Sequence, residues 1–126
     1  MNLALWIAAG VLTAVALFGG VTKTLVPKQR LAAAPGGEWT ADMGVGFVKS
    51  LGVLELLAAV GLVVPALVGI APVMVPVTAV CWVLLMIGAM ITHVRHDDGV
   101  KFVMVNLTYL VIAAFIAVGR FGLEPF

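Results

Sequence analysis

Residues 46–76 read GFVKSLGVLELLAAVGLVVPALVGIAPVMVP, and they decide what kind of chain this is. An apolar run long enough to cross a bilayer carries one acid, Glu55, near its middle. An uncharged turn between Pro65 and Pro72 follows, and a second apolar run opens behind it. A carboxylate at that depth costs roughly 2.5–3.5 kcal/mol on insertion scales, so it needs a partner, water or a proton.

Composition agrees with a chain in lipid. Of 126 residues, 63% are hydrophobic and 10% charged, against about 25% charged in an average soluble domain. A net charge of +1 gives no basic field for nucleic acid. The single cysteine, Cys81, excludes an internal disulfide, a CxxC redox pair and a cysteine zinc site. The length predicts one domain over residues 1–126.

Working outward, the apolar runs predict four spans, at about residues 3–25, 47–64, 73–92 and 102–119. Pro65 is expected to end the second, while Pro72 or Pro76 sits in the first turn of the third, where proline is tolerated. A secretory signal peptide is disfavoured for the first run, because Lys23, Lys28 and Arg30 follow it rather than precede it. Pro35-Gly36-Gly37 breaks the first loop, Arg30 to Ala34 forms an interfacial turn, and Trp39 serves as a headgroup anchor. His93 to Lys101 reads as a short polar turn. The fold class is all-α, an antiparallel four-helix transmembrane bundle.

Six of the seven Lys and Arg residues flank the first and third loops, and only Arg120 lies at the other end. The positive-inside rule therefore predicts both termini outside, with those two loops in the cytoplasm. Helices in lipid pack through small residues, and each run has a stripe of them. These are Ala9, Thr13, Ala16 and Gly20 in the first, and Gly52, Ala58 and Ala59 beside Glu55 in the second. The third offers Thr78, Cys81, Gly88, Ala89 and Thr92; the fourth offers Asn106, Tyr109, Ala113 and Ala117.

The candidate site is an intramembrane polar cluster of Glu55, Lys23, Tyr109, Asn106 and His93 in the half of the bundle that holds these loops. Glu55 is expected to face inward, with Lys23, Tyr109 and Asn106 as partners in that order. It is either a hydrogen-bonded structural acid or a group that binds a ligand or handles protons. Lys23 can extend its stem toward Glu55, but snorkelling to the interface is the favoured expectation. His93 and His96 stand beside Asp97 and Asp98, yet a solvated turn is expected there rather than a metal site. Cys81, mid-span where a thiolate is unfavourable, reads as inert, and Trp82, Met86 and Met90 read as packing residues. No nucleophile triad, phosphate-binding glycine loop or other catalytic constellation is present.

One family matches these motifs in their order. Gly19-Gly20-Val21-Thr22-Lys23 precedes Pro27, and Gly52-Val53-Leu54-Glu55-Leu56-Leu57 follows. Then come Gly61-Leu62-Val63-Val64-Pro65, Gly69-Ile70-Ala71-Pro72, Gly88-Ala89 with His93, Asn106, and Gly119-Arg120-Phe121. Over nearly its whole length the chain resembles the DoxX-like family of small bacterial membrane proteins. The resemblance implies four helices, the bacterial inner membrane and, from some relatives, a place beside other subunits of sulfur or quinone redox systems. This chain has no thiol pair to carry such chemistry itself.

The expected function is an accessory membrane subunit or binding module. It would hold a quinone or isoprenoid lipid between helices, with Glu55, Tyr109 or Asn106 satisfying the polar head. Its partners would be the bilayer and a second membrane protein or further copies of itself. An autonomous oxidoreductase is disfavoured for want of a cofactor motif. A proton or solute carrier using Glu55 and His93 is disfavoured because no inverted repeat is visible.

Overall fold

In lipid a backbone has no water to satisfy its N–H and C=O groups, so each apolar run must close its hydrogen bonds internally as a helix. The computed structural model describes residues 1–34, 37–96 and 99–126, without the side chains of Glu38 and Asp42. Within it lie α1 (Asn2–Leu25), a short α2 (Lys28–Ala33), a 3₁₀ turn (Glu38–Asp42), α3 (Val45–Val68), α4 (Met74–Arg95) and α5 (Val100–Val118). A single π-helical turn, Gly119–Leu123, extends α5. No strand occurs among the described residues. The long helices α1 and α3 have 24 residues each, about 36 Å at helical rise and ample for a ~30 Å hydrocarbon core. All four long helices have the length and apolar composition to cross a membrane. Their outer faces carry large bare side chains such as Leu3, Phe18 and Leu25.

The helix ends differ from the sequence expectation in ways lipid explains. Pro65 does not end α3, which runs on to Val68. Ala66, Leu67 and Val68 keep the backbone bonded where water is absent, and proline is tolerated inside such helices. Gly69, at φ +71°, provides the left-handed stop. At the far end α4 continues through His93 to Arg95, leaving a shorter polar turn than predicted. Asp97 and Asp98, like the Pro35-Gly36 part of the expected loop breaker, lie outside the described residues.

The bundle is a ring of two tight pairs. Helix α1 packs mainly on α3 and α4 on α5, with smaller contacts joining α3 to α4 and α1 to α5. Glycine makes the first pair close. A Cβ on Gly20 would sit 2.9 Å from the Gly52 carbonyl, and one on Gly52 would sit 2.7 Å from Thr24 Cγ2. The two pairs join at the end that holds the termini, where Gly119 lies against the Leu5 side chain and Gly61 against Thr78. Between the pairs, Leu12, Leu62, Trp82, Met86 and Ile116 interlock with small residues such as Ala16, Ala59 and Ala113.

One packing face departs from expectation. The buried side of α4 is Val75, Ala79, Trp82, Met86 and His93, whereas Cys81 and Gly88 are exposed. The small faces of α1 and α3 leave room that bulky side chains must fill to reach native density. Trp82 and Met86 fill it, and the small stripe of α4 is turned aside.

Candidate functional site: a capped cavity between the helix pairs

Most hydroxyl and amide side chains inside the spans satisfy themselves on their own helix, the buried Thr13 hydroxyl being an exception. Thr22 donates to the Gly19 carbonyl (3.0 Å), Thr24 to Gly20 (2.7 Å), Thr92 to Gly88 (2.9 Å) and the Asn106 amide to Phe102 (2.8 Å). Such back-bonding is the local solution for a polar group without water. Glu55 has no equivalent on its own helix, since a carboxylate only accepts. Its partner comes from α1: Lys23 Nζ stands 3.0 Å from Oε1 and 3.1 Å from Oε2. The expectation that Lys23 snorkels is thus corrected. Close approach of α1 and α3 at their glycines puts the lysine stem beside the acid, and the buried carboxylate holds it. Glu55 is 6% exposed, so the inward orientation is as expected.

Gly19 is part of the same arrangement. A Cβ there would lie 2.5 Å from Glu55 Oε2, so α1 leaves space for the carboxylate only because this residue has no side chain. Sequence patterning gave no reason to single out Gly19 over its neighbours, because the requirement arises across the helix pair.

Opposite this pair, α4 and α5 present His93 and Asn106. The His93 ring is buried and stacks on Phe102, with centroids 5.5 Å apart and planes 20° apart. Between the two walls is a cavity of about 670 Å³ that Glu55, Lys23, His93 and Asn106 all line. The turned-aside small stripe of α4, namely Gly88, Ala89 and Thr92, gives it volume. Most of the remaining wall is apolar, including Phe47, Leu51, Leu84 and Leu85. Phe18, 75% exposed, and Leu84, 64% exposed, line the cavity and also face outward. They mark a side of it that meets lipid.

A cap closes its end. Leu31 from α2 and Trp39, Thr40 and Met43 from the following segment all line the cavity. Thr40 is buried, with its hydroxyl on the Gly37 carbonyl at 2.7 Å. Trp39 is thus a wall of the cavity, and the turn expected at Arg30 to Ala34 is the short helix α2, which begins at Lys28. The sequence carried one hint of a cap: Leu31, Trp39 and Met43 are large apolar residues in a segment too short to span.

Tyr109 is the candidate that does not join the site. It is half-buried against the apolar core and is not among the cavity's lining residues. Three residues beyond Asn106, it lies about 4.5 Å further along α5, past the cavity. His96 also stays apart, its Nδ1 2.9 Å from the Thr92 carbonyl. Among the described residues no cluster of three or more His, Cys, Asp or Glu could hold a metal ion.

No curated protein and no solved structure matches this chain. The residues that line the cavity are spread along the motifs noted above: Lys23 on α1, Glu55 on α3, Gly88, Ala89 and His93 on α4, and Asn106 on α5, with Gly19 leaving room for the Glu55 carboxylate. They fall within residues 7–116, over which the sequence model of the DoxX-like family matches, and the chain belongs to that family.

Proposed function

We propose that this DoxX-like membrane protein is a binding module for a lipid-soluble molecule with a small polar head, of the quinone or isoprenoid-lipid class. The observation that carries the reading is the capped cavity of about 670 Å³. That volume falls within the roughly 300–1,000 Å³ typical of small-molecule sites, and such sites are apolar with a few convergent polar groups. Here those groups are the Lys23–Glu55 pair on one wall and His93 and Asn106 on the other. An ammonium and an amide suit the carbonyl oxygens of a quinone, while the carboxylate suits the hydroxyl of a prenol. The chain would then act as an accessory subunit, presenting or storing the ligand for a partner membrane protein. A bacterial plasma membrane with both termini outside fits the Lys/Arg bias.

The test is purification in mild detergent with mass spectrometry of the co-extracted lipids, on the wild type, Glu55→Gln and Glu55→Leu. A quinone or prenol should accompany the wild type in about stoichiometric amount and be depleted in both variants. Full retention by Glu55→Leu would refute a ligand role for Glu55. Finding neither molecule on the wild type would refute the ligand class.

A further inference from the structure

A second cavity, of about 200 Å³, lies where the end of α1 and the start of α3 meet α2. Its polar lining is Lys23, Lys28, Lys49 and Gln29, and its floor includes Val26, Val45 and Val48. No acid is among its lining residues as far as the described residues go. Lys49 Nζ donates to the Thr24 carbonyl at 2.7 Å, which fixes its ammonium at the end of α1. Lys28, on the first turn of α2, lines the same cavity and forms no ion pair among the described residues. Lys23 forms the inner wall with its stem while its ammonium turns away to Glu55.

Two lysines thus converge, with a glutamine, over an apolar floor at the end of two spans. That chemistry recognises a phosphate bearing a negative charge. The amides and ammoniums donate to its oxygens, and the valine floor accepts hydrocarbon attached to it. We propose that this cavity binds the phosphate of an anionic headgroup, clamped between Lys28 and Lys49. Basic pockets at the ends of spans are where anionic lipids are held selectively, and two lysines raise the preference for such a lipid by about fivefold each. The cavity shares Lys23 and Leu31 with the capped cavity, but its two clamping lysines, Lys28 and Lys49, lie outside that cavity's lining.

The experiment uses the full chain in nanodiscs of equal phosphatidylglycerol and phosphatidylcholine, with retained lipid read by native mass spectrometry. Wild type should keep phosphatidylglycerol over phosphatidylcholine by roughly 25-fold, the product of two such steps. Lys28→Gln alone, which loses no internal bond among the described residues, should drop that preference about fivefold, and Lys28→Gln with Lys49→Gln should bring it near parity. Lys101→Gln, a cation at the same end but outside this cavity, should leave it unchanged. A second arm adds inorganic phosphate to protein in phosphatidylcholine alone. Phosphate adducts on wild type that vanish in Lys28→Gln, without any phosphatidylglycerol preference, would support the phosphate site and assign it to the free ion. Equal retention of both lipids with no phosphate adduct would overturn the proposal. So would an undiminished preference in Lys28→Gln, or an equal drop in Lys101→Gln.

Discussion

Removing the two partners of the Lys23–Glu55 pair should not cost the same. Side-chain exposure is 21% for Lys23 and 8% for Glu55. Lys23→Leu leaves a carboxylate enclosed between α1 and α3, with Gly19 against it and no stem long enough to reach the surface. Orphaning one member of a buried pair costs about 3–5 kcal/mol, so a loss near 3 kcal/mol is expected. Glu55→Leu leaves an ammonium on a four-carbon stem that can turn to the nearby interface, and about 1 kcal/mol is expected. Lys23→Leu with Glu55→Leu removes both charges together. Apolar replacement of a whole buried pair is often neutral or better, so the double variant should fall within about 1 kcal/mol of wild type. The coupling energy is then about 4 kcal/mol. Equilibrium unfolding in mixed detergent–dodecyl sulfate micelles, followed by fluorescence of Trp6, Trp39 and Trp82, measures all four proteins. Losses that simply add would refute the coupling. A greater loss for Glu55→Leu than for Lys23→Leu would refute the assignment of the acid as the enclosed partner.

Other expectations test the packing, the far end and the topology. Gly52→Ala places a Cβ 2.7 Å from Thr24 Cγ2 and 3.0 Å from the Gly20 carbonyl, so it should destabilise by about 1–3 kcal/mol in the same unfolding assay. Gly10→Ala, with nothing within 4 Å, should instead stabilise by about 0.5–1 kcal/mol. Arg120 lies with its guanidinium carbon 3.8 Å from the Phe126 ring centroid and 5.9 Å from that of Trp6. Arg120→Met should therefore cost about 2 kcal/mol and alter the near-ultraviolet circular dichroism of Trp6. A C-terminal alkaline phosphatase fusion should be active and a C-terminal green fluorescent protein dark; the reverse would overturn the outside–outside orientation.

Four spans, their all-α character and the inward face of Glu55 were legible in the chain itself. Lipid imposes these features locally: about 20 apolar residues must form a helix, and a lone acid among them must turn to protein. Small residues at helical spacing likewise identified the contact faces of α1, α3 and α5, since close approach depends on what each helix lacks. The α4 face could not be found this way. Which side is buried there depends on how much volume the other three helices leave, and Trp82 and Met86 supply it. Lys23 was the first expected partner of Glu55, but whether it pairs or snorkels was a matter of tertiary structure. Lys23 reaches the acid because Gly20 and Gly52 let α1 and α3 nearly touch, and Gly19 makes room for the carboxylate. The cavity arises the same way, from two tight helix pairs joined at one end and capped by α2 and the 3₁₀ turn at the other. Its volume is a property of the space between helices, which no single segment encodes.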